Sequence, residues 1–215
     1  MKKELHIFDF DGTLFDSPID TEENRSFYTK ETGIPWVIDE KLAEKLSEEK
    51  GTKFRTRKGW YGRVETLQPP LVPDPAPQSM WIEETVNQFF QSKNDPNSTT
   101  VIMTGRHSGI QGAVLRILMD GGLVNVLKKG EKYLQSDPNV NCLFRGQTGP
   151  AVKARPMPNE DTISWKLWII EKYTDMIPFK KLVVWEDREE HVATFKELND
   201  ILDLEVVVNH VQIKT

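Results

Sequence analysis

Two aspartates separated by one residue, Asp9 and Asp11, follow a short apolar segment and precede a Gly-Thr pair. Side chains alternate along an extended chain, so the two carboxylates would point to the same side, about 6–7 Å apart, and Gly12 lets the chain turn there. Carboxylates this close stay ionised at low cost only beside a cation, and Mg²⁺ prefers oxygen ligands. An Asp-Gly pair taken alone is often an ordinary turn. In this context the pair predicts a reaction centre with a metal ion.

The string DFDGTLF at residues 9–15 resembles the first motif of the haloacid dehalogenase-like (HAD) superfamily of phosphotransferases. The resemblance implies that Asp9 attacks phosphorus and that Asp11 acts as general acid and base. Such an attack forms an acyl phosphate, which divides hydrolysis into two easier steps. It also implies a Mg²⁺ ion held by Asp9 and by the main-chain carbonyl of Asp11, and it adds Thr13 to the substrate-binding residues.

Two further segments supply groups that could hold a phosphoryl group. Thr104, Gly105 and Arg106 end the apolar run that begins at residue 100, and the glycine exposes backbone amides while the arginine can bind a phosphate through two nitrogens. They resemble the second HAD motif, in which a hydroxyl bonds the phosphoryl group, a role that falls to Thr104. The third motif needs a cation near the start of a helix, and Lys166 follows a cap-like start at Asp161. Lys153 and Lys172 are alternatives to Lys166.

A second acidic pair, Glu186 and Asp187, ends the apolar run 182–186 and resembles the fourth HAD motif, which completes the metal shell. Many relatives have two aspartates there, so the glutamate leaves open which acid contacts the ion directly. Arg188 follows and is assigned to substrate binding. Arg188 and His191 could also orient the acids from behind, although His191 could equally be a helix-surface residue.

The strings Gly59–Gly62, Thr104–Arg106 and Trp185–Phe195 are similar to the Swiss Army knife RNA-repair-like HAD family, and the acid-Asp-Arg element is similar to the 3′-phosphatase domain of phage polynucleotide kinase-phosphatase. The resemblance implies removal of a terminal phosphate from a nucleic acid or nucleotide. A basic and aromatic stretch at residues 53–63 supports this, because cations grip backbone phosphates while rings stack on bases. Its candidate substrate-binding residues are Arg55, Arg57 and Trp60. The alternative is that Trp60 and Tyr61 anchor the cap on the core and that the cations are only solvated.

The composition fits a globular protein without a general nucleic-acid surface. The chain has 215 residues, 28% of them charged, and a net charge of −5, so any nucleic-acid surface must be local. Its single cysteine, Cys142, excludes an internal disulfide and suits a reducing compartment. No apolar run is long enough to cross a bilayer or to form a signal-peptide core, so we expect a cytoplasmic protein with no membrane partner.

Near-continuous apolar runs at 4–10, 100–104, 182–186 and 205–208 predict buried parallel strands, and helical patterns lie between them. These are 79–93, with Ser79 as a possible cap, 109–119, 162–174 and 188–199. The fold class is therefore a doubly wound, Rossmann-like α/β sheet, in which ligands bind at the carboxyl ends of the strands. About ninety residues separate the first two strands, which predicts a core of 1–16 and 99–215 and an inserted, mainly helical cap at 17–98, with helices at 22–32 and 39–50. The interval 121–160 has no clear pattern.

The sequence thus predicts a Mg²⁺-dependent phosphatase that works through an aspartyl phosphate on a nucleic-acid end, in particular a 3′-phosphate, or on a nucleotide. It leaves open DNA or RNA, a 3′ or a 5′ phosphate, and a partner repair enzyme. One alternative is a mononucleotide or sugar-phosphate phosphatase with the same site. Another is a non-catalytic module that binds a phosphorylated end or a protein, although the presence of every catalytic residue argues against it.

Overall fold

The computed structural model describes residues 3–36, 40–50, 60–130, 132–146 and 161–212. Seven strands and six helices lie within these ranges, and short 3₁₀ turns connect several of them. In chain order they are β1 (Glu4–Phe8), α1 (Glu22–Thr32), α2 (Glu40–Lys50), α3 (Glu83–Asn94), β2 (Ser98–His107), α4 (Gln111–Asp120), β3 (Val126–Lys129), β4 (Lys132–Gln135), β5 (Val140–Arg145), α5 (Thr162–Met176), β6 (Lys181–Glu186), α6 (Glu189–Glu197) and β7 (Glu205–His210).

Five of the strands form one parallel sheet in the order β5-β2-β1-β6-β7, with β1 at its centre. Helical segments connect consecutive strands, as parallel pairing requires. The predicted doubly wound α/β class is therefore confirmed. Because β1 lies between β2 and β6, the residues that follow these three strands meet at the carboxyl-terminal end of the sheet.

The alternation of side chains along the central strands determines which residues face helix α5. Leu5 and Ile7 of β1 belong to the same buried cluster as Leu182 and Val184 of β6, and Leu5 pairs with Leu182 and Ile7 with Val184 in the register. Continuing this period of two beyond the paired residues brings Asp9 and Glu186 to the same face of the sheet.

Helix α5 covers that face. Its N-cap is Asp161, whose carboxylate accepts a hydrogen bond from the amide of Ser164 at 2.8 Å, so the helix begins at a defined residue. The buried stripe includes Lys166, Ile169, Ile170 and Tyr173, at intervals of three and four residues. Lys166 therefore continues the apolar stripe that packs on the sheet, near the end of the strands where α5 begins.

Some local predictions differ from the structure. Strand β1 ends at Phe8 and not at residue 10, because the chain turns back and the amides of Leu14 and Phe15 both bond to the carbonyl of Phe10. Helix α3 is not capped by Ser79, which lies in a 3₁₀ turn; the helix begins at Glu83. The unassigned interval 121–160 contains the edge strand β5 and the antiparallel pair β3–β4.

The chain divides into two compact units, residues 1–16 with 76–215 and residues 17–75. The first unit contains the sheet. Helix α3, which the sequence analysis assigned to the cap region, is part of this unit and packs on β2.

The second unit contains α1, α2 and a small aromatic cluster. Trp60 packs against Trp36 with ring centroids 4.7 Å apart, and Tyr28 and Leu71 complete the cluster. The indole nitrogen of Trp60 donates a hydrogen bond to the carbonyl of Pro18. Trp60 is 4% exposed, so most of its side chain packs within this unit. Its assignment to substrate binding stays a prediction.

Candidate active site

A buried ion-pair network lies at the carboxyl end of the two central strands. The Nζ atom of Lys166 lies 3.1 Å from Oδ1 of Asp9 and 2.7 Å from Oε2 of Glu186. All three residues are about 1% exposed or less. The sheet register and the stripe of α5 thus bring together an acid from β1, an acid from β6 and one lysine.

The network shifts the pKa values of its members in opposite directions. Burial raises the pKa of Asp9 well above its ordinary value, Lys166 opposes this, and Glu186 and Asp187 add to it. Burial also acts to raise the pKa of Glu186, but Lys166 and His191 outweigh it and hold the pKa well below its ordinary value. Burial acts to lower the pKa of Lys166, yet Asp9 and Glu186 raise it. Lys166 therefore stays charged, and its charge is directed at two carboxylates.

Asp187 is held against the turn that follows Asp9. Thr13, which is fully buried, donates a hydrogen bond of 3.5 Å to Oδ1 of Asp187. Gly12 has a φ of +70°, and a Cβ atom there would lie 2.3 Å from Oδ2 of Asp187. Only glycine therefore permits both the turn and the close approach. Burial, and then the charge of Glu186, raise the pKa of Asp187 to about 6.

Three carboxylates can converge on one cation. One oxygen each from Asp9, Glu186 and Asp187 lie within 4.8 Å of one another. Neither oxygen of Asp9 has a hydrogen-bond partner of good geometry among the described residues, although both are buried. Hard oxygen donors, an excess of buried negative charge and an unsatisfied carboxylate are what a Mg²⁺ site provides, so these residues fit the ion.

The carboxylate of Asp11 does not join this acidic group. It lies opposite Arg106, whose Nε bonds to Oδ1 and Oδ2 at 2.9 and 3.0 Å and whose second guanidinium nitrogen bonds to Oδ1 at 2.7 Å. The Arg106 side chain is completely buried and that of Asp11 is 14% exposed. Arg106, which the sequence predicted to bind phosphate, therefore bonds to Asp11 through its guanidinium group. The predicted metal contact of Asp11, through its main-chain carbonyl, stays a prediction.

An irregularity at the end of β2 explains how Arg106 reaches Asp11. Thr104 pairs with Phe144 and His107 with Arg145, so Gly105 and Arg106 are extra residues in β2. Such a bulge redirects side chains at the end of a strand. The hydroxyl of buried Thr104 accepts a hydrogen bond from the amide of Arg106 at 3.1 Å.

Gly105 lets the bulge pack on the start of α5. A Cβ atom at Gly105 would lie 2.8 Å from Cγ2 of Thr162 and 3.5 Å from a guanidinium nitrogen of Arg188. Arg188 therefore extends from the end of β6 towards the end of β2. Its side chain is 40% exposed, and its Nε lies 3.9 Å from Oε1 of Glu186.

Glu186 is fixed by donors on both oxygens. The amide of Arg188 bonds to Oε1 at 3.3 Å, and Oε2 lies 3.2 Å from Nδ1 of His191 in addition to Lys166. His191 is buried, so it is not the helix-surface residue that the sequence also allowed. For the Asp187 carboxylate, by contrast, the hydrogen-bond donor seen among the described residues is the hydroxyl of Thr13.

Other candidates lie apart from this group or outside the described residues. Lys172 is on the outer side of α5, where it pairs with Glu171 and Asp175. Lys153, Arg55 and Arg57 lie outside the described residues. Cys142 is buried in β5, and burial raises the pKa of its thiol, so it does not have the properties of a reactive cysteine.

The fold and this arrangement define a HAD-like α/β domain of the phosphatase type. Residues 39–214 match the family described as HAD domain family 1 in Swiss Army Knife RNA repair proteins. The chain belongs to this family, which confirms the resemblance. Asp9 and Asp11 precede the matched residues, whereas Lys166, Glu186 and Asp187 lie within them. No solved structure matches the chain, and among the described residues no helix is long and apolar enough to cross a membrane.

Proposed function

We propose that this protein is a Mg²⁺-dependent phosphomonoesterase that forms an aspartyl phosphate on Asp9 and acts on a phosphorylated nucleic-acid end. The observation that carries the proposal is the buried group of Asp9, Lys166 and Glu186 with Asp187 beside it. The family description, which refers to RNA repair, supports the choice of a nucleic-acid substrate.

Asp9, Glu186 and Asp187 would hold the ion, and Asp187 is the better candidate of the last two because both Glu186 oxygens already accept protein donors. When bound, Mg²⁺ supplies positive charge that keeps Asp9 ionised and offsets its repulsion by phosphate. Lys166 contributes a second, fixed positive charge 3.1 Å from Oδ1 of Asp9.

In the first step an oxygen of Asp9 attacks phosphorus, the bond to the leaving alcohol oxygen breaks, and Asp11 gives that oxygen a proton. In the second step Asp11 takes a proton from water, the water oxygen attacks phosphorus, and the acyl phosphate bond breaks to restore the Asp9 carboxylate. The products are an alcohol and inorganic phosphate. Thr104 and the half-exposed Arg188 would hold the phosphoryl oxygens, and electrostatic stabilisation of this kind is commonly the largest contribution to the rate.

Arg106 has a positioning role in this scheme, because its fork fixes the Asp11 carboxylate from a buried side chain. His191 has a corresponding role behind Glu186. Thr13 and Gly12 position Asp187.

The test is phosphate release by the protein and by its isosteric Asp9→Asn variant, with Mg²⁺ and with a chelator. The substrates are 3′- and 5′-phosphorylated oligonucleotides, mononucleotides, a sugar phosphate and a generic aryl phosphate. We expect Mg²⁺-dependent turnover with oligonucleotides preferred, no turnover by Asp9→Asn, and a protein-bound phosphate that hydroxylamine releases, as it cleaves acyl phosphates. Preference for mononucleotides or sugar phosphates would move the protein to another substrate class. Binding of phosphorylated ends without turnover would make it a binding module.

A further inference from the structure

The antiparallel hairpin of β3 and β4 carries a concentration of exposed lysines in an acidic protein. Lys128, Lys129 and Lys132 are exposed, and none of them forms an ion pair with a described residue. Lys128 lies over the ring of Tyr133, with its Nζ 5.5 Å from the ring centroid. Glu131, between them in sequence, lies outside the described residues. Because the net charge of the chain is −5, this is a local positive surface on an acidic body.

Contacts along the hairpin determine which end of the sheet its tip approaches. Gln135, at the end of β4, bonds through its side chain to the main chain of Val140 and Cys142 on the free edge of β5. Tyr133, two residues nearer the tip, lies beside Gly112 in the first turn of α4. Helix α4 begins just after β2 ends, at the carboxyl-terminal end of the sheet, where the candidate active site lies. The tip, with Lys129 and Lys132, therefore lies towards the carboxyl-terminal end of the sheet, as the phosphoryl site does.

A histidine and an arginine side chain lie between that site and the hairpin. His107 ends β2 and is exposed, and it pairs in the register with Arg145, which ends β5. Arg145 also lies 3.5 Å from the hydroxyl of Thr162 at the start of α5. Arg145 thus places a positive charge at the carboxyl end of β5, between the phosphoryl site and the hairpin.

The outward face of the hairpin combines these charges with apolar surface. Leu127 and Leu134 are directly opposite one another and are 62% and 43% exposed, and Lys129 and Lys132 form the next pair on that face. Because they are cross-strand neighbours, the two leucines form a small exposed apolar patch beside these lysines. Lysines beside apolar side chains suit a single-stranded nucleic acid, whose phosphates meet the cations while sugars and bases meet the leucines.

We infer that the β3–β4 hairpin is the surface that holds the polynucleotide chain leading away from the phosphorylated end. The inference rests on the proposed function, since it gives that site a polymer substrate rather than a free nucleotide. The hairpin lysines would contact phosphates of the neighbouring nucleotides and carry no part of the chemistry.

The test compares two double variants with the same loss of charge. The double variant Lys129→Ala/Lys132→Ala alters the hairpin tip. The control, Lys180→Ala/Lys196→Ala, removes one exposed lysine just before β6 and one in the last turn of α6, both at the amino-terminal end of the sheet. The first measurement is the ratio of kcat/KM for a 3′-phosphorylated 12-mer to kcat/KM for an aryl phosphate, which reaches only the phosphoryl site. We expect this ratio to fall about tenfold for the hairpin pair and to change less than about twofold for the control pair.

The second measurement is binding of the same 12-mer to both double variants in the Asp9→Asn protein, by fluorescence anisotropy at several salt concentrations. Each lost phosphate contact on a single strand lowers the slope of log K against log salt by about 0.7, so we expect a reduction near 1.4 for the hairpin pair alone. Equal ratios and equal slopes in the two double variants would overturn the inference. Hairpin-dependent binding without hydrolysis of the 12-mer would support the hairpin surface and refute the proposed activity. Hydrolysis of the 12-mer that does not depend on the hairpin would do the reverse.

Discussion

Arg106 and Asp11 are joined by a two-pronged, buried interaction although 95 positions separate them in sequence. In the proposed mechanism the Asp11 carboxylate gives and then takes a proton, and Arg106 holds it in one orientation. A planar guanidinium can do this where a lysine ammonium cannot, because the fork matches both carboxylate oxygens.

We therefore expect Arg106→Lys to lower kcat by about 10²-fold, in the range of a general acid–base contribution, with little change in KM. The loss should be larger for an alkyl phosphate than for a nitrophenyl phosphate, whose leaving group needs no proton. Steady-state kinetics on both substrates measure this, and the melting temperature checks that the variant folds. A rise in KM with kcat unchanged would instead return Arg106 to the phosphate-binding role that its sequence position suggests.

Lys166 links the stability of the site to its chemistry. In Lys166→Met the side chain keeps its length, but Asp9 and Glu186 lose the cation between them. We expect the metal-free protein to lose about 3–5 kcal/mol of unfolding free energy, because breaking a buried pair leaves an uncompensated charge. Urea denaturation in the presence of a chelator measures it.

The control for this variant is a double-mutant cycle with Asp9→Asn. Removing the Asp9 charge in the Lys166→Met background should restore part of the stability, with a coupling of about 1–3 kcal/mol. Additive effects of the two substitutions would show that the 3.1 Å contact does not matter for stability. Lys172→Met, which affects a lysine on the outer side of the same helix, should leave stability almost unchanged.

The sequence was sufficient to predict much of the central sheet, because its strands are apolar runs of the length that a buried strand has. It also predicted the acids of the candidate site, because they follow two of these runs. The distinction between Lys166 and Lys172 was also accessible in physical terms. Lys166 lies three, four and seven residues before Ile169, Ile170 and Tyr173, so it shares their buried stripe, whereas Lys172 does not.

Other features depend on contacts that no local pattern encodes. The bulge that turns Arg106 towards Asp11 exists only in the pairing of β2 with β5. The β3–β4 hairpin was not recognised because its strands have four residues each and contain lysines. Strand β5 was not assigned because Asn141 interrupts its apolar run. The burial of Trp60 likewise depends on Trp36, which is distant in sequence.

Asp187 should make the stability of the metal-free protein depend on pH. Its pKa is about 6 in the folded chain, against an ordinary value of 3.8, so the folded state binds an extra proton between these values. The stabilisation is complete below pH 4 and is lost as the pH rises through 6. Asp187→Asn should therefore stabilise the chelated protein by about 1–2 kcal/mol at pH 7.5, after allowance for partial solvent screening, and have little effect at pH 4.

Urea denaturation of both proteins at the two pH values provides the measurement. Mg²⁺ should stabilise the parent protein at pH 7.5 and should not stabilise Asp187→Asn to the same extent, since the variant loses a negative charge from the proposed metal site. A stability difference between the two proteins that does not vary with pH would contradict the assignment of the raised pKa to Asp187.

Gly12 connects the first acidic motif to the last one. An alanine there would need a left-handed backbone, and its Cβ would lie 2.3 Å from Oδ2 of Asp187. Gly122 is a matched control because its φ is +69° and a Cβ there would meet nothing within 4 Å. We expect Gly122→Ala to cost about 1–2 kcal/mol from the backbone alone, and Gly12→Ala to cost more and to weaken Mg²⁺ binding at least tenfold, because Asp187 must move. Calorimetric titration with Mg²⁺ and urea denaturation measure the two effects. In an Asp187→Ala background the contacts with Oδ2 and Cγ are removed and only the Cβ of residue 187, at 3.2 Å, remains, so the cost of Gly12→Ala should fall most of the way to that of the control. If it does not fall, the close approach of Gly12 to Asp187 is not the reason for the glycine.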